Sequence, residues 1–260
     1  MSDSPICNPH LDGGPFYWSG GPVGVLLVHG FTSSTAEVRL LARLLHHQGH
    51  TVAGPLLPGH LTRPQDLNRV SWQDWARAVE EGYRRLAERC EKVFVGGTST
   101  GGVLSLYLAS MRAEVAGILA YAPALRLQLT TLDVIKLRLL APFISYVPKP
   151  NSKGDTLWQG YYVNPLKGTL QLLQLQRETL ARLSQIKQPI LVVQGRSDAT
   201  VHPQVPEIIS RKVNSSLVEI HWMERSPHVL LLDCELDEIA NITLGFMDHV
   251  LQTHQHLHPT

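Results

Sequence analysis

The sequence predicts an α/β fold in which helices cover both faces of a mostly parallel β-sheet. Short apolar segments alternate along the chain with stretches of helical periodicity, which is the pattern of consecutive strand–helix units. The segment 23–28 is a continuous apolar run followed by Gly30, as expected of a strand that is buried on both faces. With 260 residues, 43% of them hydrophobic, the chain can bury a sizeable core.

End signals and periodicity predict the individual elements. A helix begins after Thr35, a favourable N-cap residue, and ends at Gly49. Ser71 and Asp74 have the spacing of a capping box, so a second helix begins there and buries Trp75 and the residues that follow it at helical spacing. The other predicted elements are an edge strand with a hairpin at 16–18, strands at 51–57, 92–96, 117–122, 189–194 and 216–222, and helices from about 100 and from 233.

Residues 123–187 interrupt the alternation of strands and helices. A crossover between two parallel strands needs far fewer residues, so this segment contains an insertion. Some of this segment is expected to pack on the core, and the rest to cover the site. The predicted domain organisation is a core formed by residues 1–122 and 188–260, with a small helical cap at 123–187. The features that indicate an insertion are leucines at near-helical spacing at 132–139 and 166–173, and turns at 148–150 and 153–154.

Charge and hydropathy restrict the possible partners. The formal net charge is +1 and only 17% of residues are charged, with no basic stripe and no acidic tail, so nucleic acid is not an expected partner. No apolar run approaches the roughly 20 residues of a membrane-spanning helix. Residues 1–14 lack the features of a signal peptide. A small, mostly uncharged molecule is the expected partner, and the oligomeric state stays open.

The cysteines and histidines do not form a metal-binding pattern. Cys7, Cys90 and Cys234 are widely spaced and odd in number, which argues against a disulfide framework and a zinc site. The thirteen histidines occur mostly singly, and the tail residues His254, His256 and His258 could bind metal only adventitiously. We therefore expect a reducing, cytoplasmic location, no metal and no cofactor.

Ser99 is the predicted nucleophile. It lies at the centre of a Gly-x-Ser-x-Gly pattern between Gly97 and Gly101, which by itself is weak and should occur by chance in roughly one chain in ten of this size. The context strengthens it, because the predicted strand 92–96 ends just before it and a helix begins just after it. A serine on such a sharp turn projects its hydroxyl from the edge of the sheet.

An acid and a base follow later strands in the expected order. Asp198 comes after the apolar strand 189–194, and His228 comes after the last strand, which gives the order Ser, Asp, His. His202 and His221 are the alternative bases. His202 leads into a Pro and a helix, and His221 lies inside the last strand, so both are weaker candidates than His228.

Two backbone N–H groups are predicted to form an oxyanion hole. Thr100 supplies one, at the N-terminus of the helix after the nucleophile, where the helix dipole favours negative charge. Phe31 supplies the other, in the loop after the first buried strand, where Gly30 allows close approach of the backbone. His29 could act as a second base, but we expect it to support this loop.

At these residues the sequence resembles the bacterial carboxylesterases related to monoacylglycerol lipase, within the α/β-hydrolase superfamily. The insertion matches only loosely, around Asn164 and Pro165. The resemblance implies an α/β-hydrolase fold with a small helical lid, a triad of Ser99, Asp198 and His228, an oxyanion hole from Phe31 and Thr100, and no cofactor. The similar segments are 26–32, 38–41, 58–60, 97–101 and 222–229.

Four residues depart from the family pattern. Thr98 and Thr100 flank the nucleophile where a varied residue and a Leu are more usual, and Pro227 replaces a Gly before the histidine. Leu61 interrupts the usual Gly-His-Gly. None of these changes removes a functional group, but the hydroxyl of Thr100 makes the pocket floor more polar. The departures therefore bear on specificity.

The sequence thus predicts a serine hydrolase that cleaves short- to medium-chain carboxylic esters with the help of water. A monoacylglycerol, a thioester or a lactone is an alternative substrate, because the same groups serve each of them. A noncatalytic binding protein of the same fold is the more distant alternative, since a fold does not by itself establish an activity.

Overall fold

The computed structural model describes residues 6–149 and 157–257, with side chains up to residue 253. The strands of the described residues are β1 (Ile6–Cys7), β2 (Phe16–Trp18), β3 (Val23–Val28), β4 (Thr51–Gly54), β5 (Lys92–Thr98), β6 (Gly117–Tyr121), β7 (Tyr146–Pro148), β8 (Gly160–Tyr161), β9 (Val163–Pro165), β10 (Ile190–Gly195) and β11 (Val218–Met223). The α-helices are α1 (Ala36–His47), α2 (Trp72–Ala87), α3 (Thr100–Ala109), α4 (Thr131–Leu140), α5 (Leu166–Arg182), α6 (Val205–Lys212) and α7 (Leu236–Leu257).

A seven-stranded sheet forms the centre of the fold, in the order β11-β10-β6-β5-β3-β4-β2. Every neighbouring pair in it is parallel except β2 with β4. The chain runs outward from β3 to β4 and then returns to β5 on the other side of β3, so the strand order reverses there. Ligands of open α/β sheets bind at the carboxyl ends of strands beside such a reversal. The predicted α/β architecture is confirmed.

Helices pack on both faces of this sheet. Side chains of β3 alternate between the faces, and both sets are buried because each face has its own apolar layer. Val25 and Leu27 face the layer that contains α1 and α7. Leu26 and Val28 face the layer formed by α2, α3, α5 and α6. Burial of both faces rigidly supports the loops at the carboxyl edge.

The start of α2 follows the sequence prediction, and the start of α1 does not. Ser71 and Asp74 form the reciprocal capping box, and Trp75 is fully buried. The hydroxyl of Thr35, in contrast, does not cap α1 and donates to the carbonyl of Gly14 at 2.5 Å. Thr35 already has helical backbone angles, which differ from the extended conformation of most N-cap residues.

The edge strand β2 is present, but the hairpin predicted with it is wrong. Tyr17 of β2 pairs with Ala53 of β4, in antiparallel orientation. The next strand, β3, pairs with β4 on one side and with β5 on the other, so neither of its edges is available to β2. Other predicted strand ends differ from the observed ones by one to three residues.

The segment between β6 and β10 contains two kinds of helix. Helix α5 packs on α2 and α3 and buries Leu172 and Leu175, so it serves as the crossover layer. Helix α4 has no buried residue. Among the described residues, the exposed large hydrophobic side chains lie between Leu129 and Tyr162, with Met111 as the exception. The division into core and cap at 123–187 remains a prediction.

Two small antiparallel pairs, β7 with β9 and β1 with β8, were not anticipated from the sequence. The predicted turn at 153–154, Pro150 of the turn at 148–150, and the side chains of His254, His256 and His258 lie outside the described residues. No helix within 6–149 or 157–257 has both the length and the hydrophobicity needed to cross a bilayer.

Candidate active site

Ser99 lies on the turn between β5 and α3, at the carboxyl edge of the sheet. Its backbone angles are φ 53° and ψ −114°, a strained combination for a residue with a side chain. The turn also brings Gly97 and Gly101 against β3, where a Cβ on either would lie 2.3 Å or 2.0 Å from the carbonyl oxygen of Val28. Only glycine fits at these two positions, which explains the Gly-x-Ser-x-Gly spacing. Ser99 is 8% exposed.

The structure brings Ser99, His228 and Asp198 into one hydrogen-bonded row. The Ser99 hydroxyl donates to Nε2 of His228 at 3.0 Å, and Nδ1 of His228 donates to Oδ2 of Asp198 at 2.8 Å. His228 follows β11 and Asp198 follows β10, so three different strand ends contribute. This arrangement can move a proton from the hydroxyl to the imidazole while the carboxylate orients the ring.

Asp198 is held in its charged form. Burial alone would raise its pKa, but the hydrogen bond from His228 and the electrostatic attraction to that ring, together with N–H bonds from Val201 and Thr200, outweigh burial and lower the pKa. The two N–H groups reach Oδ1 at 3.0 Å and 2.7 Å. A carboxylate with this many donors remains available to stabilise a charged imidazole.

The alternative histidines lie elsewhere. The ring of His202 accepts a hydrogen bond from the backbone N–H of Gln204 at 3.2 Å. Nε2 of His221 lies 3.6 Å from a carboxylate oxygen of Glu219. Of the histidines in the described chain, only His228 is hydrogen-bonded to Ser99.

The predicted oxyanion donors face the same edge. Phe31 follows β3, and its N–H has no acceptor among the described residues. Thr100 is the first residue of α3, where the helix dipole is positive. The peptide between His29 and Gly30, one before the peptide that carries the Phe31 N–H, is fixed in turn, because the N–H of Gly30 donates to Oε2 of the buried Glu37 at 2.7 Å.

Two buried histidines support the loop after β3 that carries Phe31, the predicted oxyanion donor; we call it the oxyanion loop. His29 accepts the N–H of Leu57 at Nε2 (3.0 Å), so Nδ1 carries the proton that it donates to the carbonyl of Gly30 (2.9 Å). Nε2 of His60 accepts the N–H of Thr32 at 3.1 Å. Burial lowers the pKa of His29 to about 4 and holds the pKa of His60 well below its usual value. Both rings are neutral, as a supporting role requires.

Residues of the long insertion contact both loops of the site. Gln128 donates from Nε2 to the carbonyl of Asp198 at 2.9 Å. The backbone N–H of Tyr161 donates to the carbonyl of Thr32 at 2.8 Å, and Nζ of Lys149 donates to the hydroxyl of Thr32. Lys149 lies over the ring of Trp158 as well. The insertion is therefore attached directly to the loop that carries Asp198 and to the oxyanion loop.

Two departures from the family pattern have visible consequences. Leu61 adopts φ +55°, a left-handed conformation that a glycine accepts without strain. The hydroxyl of Thr100 is buried and has no hydrogen-bond partner in the described structure. Sequence reasoning did not identify Glu37, His60 or Gln128 as parts of the site. Of these, only His60 lies in a segment that the resemblance had singled out.

The strand order and the serine on the turn after β5 define an α/β-hydrolase fold. The chain belongs to the alpha/beta hydrolase family, whose family model matches residues 25–242.

Relatives and solved structures agree with this assignment. The chain is 36% identical over 239 residues to a thermostable monoacylglycerol lipase of a Bacillus species, which covers 92% of the chain and 96% of that protein. It is 29% identical over 238 residues to a carboxylesterase of Bacillus subtilis, covering 90% and 96%. A solved structure from the work on LipS and LipT, two metagenome-derived lipolytic enzymes, is 32% identical and has a TM-score of 0.84, covering 91% and 98%. The family resemblance in the sequence is confirmed.

Proposed function

We propose that this carboxylic ester hydrolase works through an acyl-enzyme intermediate on Ser99, with His228 as the base and Asp198 as the residue that orients it. The observation that carries the proposal is the continuous row of hydrogen bonds from Ser99 through His228 to Asp198. Ester hydrolysis is the activity for which both Bacillus relatives are named.

The reaction has two steps. His228 takes the proton of Ser99 while the serine oxygen attacks the ester carbonyl, and the N–H groups of Phe31 and Thr100 stabilise the oxyanion. His228 then gives its proton to the alcohol oxygen, and the alcohol leaves. In the second step His228 removes a proton from water, the water attacks the acyl-enzyme, and the acid is released as Ser99 regains its proton.

A short or medium acyl chain is the proposed substrate feature. Of the exposed large apolar side chains among the described residues, all but Met111 lie in the candidate cap, and Phe143 after α4 is 87% exposed. We propose that α4 and its flanking residues form a lid whose apolar side chains meet the acyl chain. The attachment of Gln128 and Lys149 to the two site loops supports a lid that belongs to the site.

A cytoplasmic location is also proposed. Cys7, Cys90 and Cys234 are free thiols, and the first two are buried. Free cysteines are typical of proteins from reducing compartments.

The test combines covalent labelling with an ester panel. A fluorophosphonate probe should label the wild-type protein but not Ser99→Ala. Hydrolysis of p-nitrophenyl esters should fall by on the order of 10⁶-fold in kcat for Ser99→Ala, by analogy with other serine triads. Ser105→Ala is the matched control, because that serine lies within α3, the helix that begins just after Ser99, and donates its hydroxyl to the carbonyl of Gly101. It should be labelled like the wild type.

The panel should contain p-nitrophenyl esters of increasing chain length, a monoacylglycerol, a thioester and a lactone. The highest kcat/KM is expected for short- to medium-chain esters. A preference for the monoacylglycerol would assign the activity named for one Bacillus relative. Near-normal hydrolysis by Ser99→Ala, or a wild-type protein that the probe does not label, would contradict the proposed mechanism.

A further inference from the structure

Gln194 contacts the proposed acid, Asp198, from β10, the strand that leads into the loop of Asp198. It is the penultimate residue of β10, and its Nε2 donates to Oδ2 of Asp198 at 2.7 Å. The same oxygen accepts the hydrogen bond from Nδ1 of His228 at 2.8 Å. Gln194 is 1% exposed, so no solvent competes for its amide.

The other half of this amide is not satisfied. Oε1 of Gln194 is buried and has no hydrogen-bond partner in the described part of the chain. A buried carbonyl without a donor destabilises a fold. Rotating the amide by 180° would place that oxygen against the ionised carboxylate of Asp198, with no proton between two acceptors. The observed amide orientation therefore gives Asp198 a hydrogen bond and leaves Oε1 of Gln194 without one.

The hydrogen bond from Gln194 restrains Oδ2 of Asp198, which no other rigid group among the described residues restrains. The N–H groups of Thr200 and Val201 both bind Oδ1, which leaves the carboxylate free to pivot about that oxygen. Among the described residues, the other hydrogen bond to Oδ2 comes from His228, the ring that Asp198 itself has to orient. Gln194 lies on a strand paired on both sides, by β6 and β11, and so supplies a fixed second point.

We propose that Gln194 is a positioning residue that fixes the carboxylate of Asp198 so that Oδ2 faces His228. The proposal rests on the proposed function, in which Asp198 orients the base. Gln194 acts on the reaction only through Asp198, and its unsatisfied oxygen is the cost of that role.

Gln194→Met tests the proposal, because methionine has a similar length and no hydrogen-bonding amide. We expect kcat for p-nitrophenyl butyrate to fall roughly 10- to 100-fold, as for a misplacement on the order of 1 Å. KM should stay within about twofold, because Gln194 does not contact the substrate. Tm should change by less than about 3 °C, because the unsatisfied oxygen is removed together with the bond.

Gln188→Met is the matched control. Gln188 is also buried, and its Nε2 donates to the carbonyls of Ala109 and Arg112 at 3.0 Å and 2.7 Å. The same chemical change there should lower Tm by about 3–6 °C and leave kcat unchanged. A purely structural role of Gln194 would give this pattern at both positions, and that result would overturn the proposal.

A double variant separates this inference from the proposed function. Asp198→Ala should lower kcat by roughly 10⁴-fold, and adding Gln194→Met should then lower it no further. An equal loss in both backgrounds would mean that Gln194 does not act through Asp198. If Asp198→Ala alone kept full activity, the proposed triad would fail; if only Gln194→Met kept full activity, the triad would stand and the role of Gln194 would be disproved.

Discussion

The backbone N–H of Gly30 donates to the buried carboxylate of Glu37 across 2.7 Å, so a side chain in the first turn of α1 restrains the loop that carries Phe31. Burial raises the pKa of Glu37, and the hydrogen bond from the N–H of Gly30 opposes that rise. The bond orients the peptide between His29 and Gly30, which adjoins the peptide that carries the N–H of Phe31, the proposed oxyanion donor. We therefore expect oxyanion stabilisation to depend on a residue that does not touch the substrate.

The first prediction compares Glu37→Gln with Glu37→Ala. The amide oxygen of glutamine can accept the N–H of Gly30, so kcat should stay within about threefold of the wild type. Alanine leaves that N–H unpaired, which should cost about 1–3 kcal/mol of stability and lower kcat roughly 10- to 100-fold. Steady-state kinetics and urea unfolding of both variants provide the check. Equal kcat values for the two variants would show that the bond does not position Phe31.

The second prediction concerns acid stability and follows from His29 and His60. The pKa of His29 is about 4 in the folded protein and about 6.5 when unfolded, so the unfolded chain binds more protons between these values. The stability from neutral His29 is complete above about pH 6.5 and decreases as the pH falls toward 4. At about 1.4 kcal/mol per pKa unit, about 2 kcal/mol is lost between pH 7 and pH 5. His60 acts in the same direction.

Urea unfolding at pH 7, 6 and 5 tests this effect. His60→Gln keeps an acceptor for the N–H of Thr32 but cannot be protonated, so its stability should fall less steeply with pH than that of the wild type. His47→Gln is the control, because His47 is exposed on α1 and should leave the pH dependence unchanged. A wild-type stability that is constant from pH 7 to pH 5 would contradict the prediction.

Local signals were enough to predict the three residues of the hydrogen-bonded row. Ser99 directly follows β5, and Asp198 and His228 lie three and five residues beyond the ends of β10 and β11. Parallel strands end at one edge of the sheet, so chain order indicated that the three residues meet. Glu37 and Gln194 gave no such signal. One lies within a helix and the other within a strand, and their roles depend on which side chain packs opposite them.

The wrong hairpin has a similar origin. The residues of β2 read correctly as an edge strand, but a hairpin assumes pairing with the next strand in sequence, and β3 has both edges occupied. Pairing partners depend on the order of the whole sheet. The short pairs β7–β9 and β1–β8 also join distant segments, with too few residues for period-two patterning to be visible.

The last prediction concerns the hydroxyl of Thr100, which is buried and has no hydrogen-bond partner among the residues that the structure describes. Thr100→Val has nearly the same shape and keeps the backbone N–H, so the proposed oxyanion donor is unaffected. Removing an unsatisfied buried hydroxyl should raise the free energy of unfolding by about 1 kcal/mol and Tm by about 2–4 °C. Thr179 in α5 has the same kind of hydroxyl, so Thr179→Val should stabilise the protein to a similar degree.

The two valine variants should differ in activity. We expect Thr100→Val to shift the ratio of kcat/KM for longer over shorter p-nitrophenyl esters upward by about two- to tenfold, because loss of the buried hydroxyl makes the surroundings of the nucleophile less polar. Thr179→Val should leave that ratio unchanged, since Thr179 lies in the last turn of α5 and supplies no group to the proposed site. An unchanged ratio in both variants would show that Thr100 contributes only its backbone, and the determinants of chain length would then lie in the residues around α4.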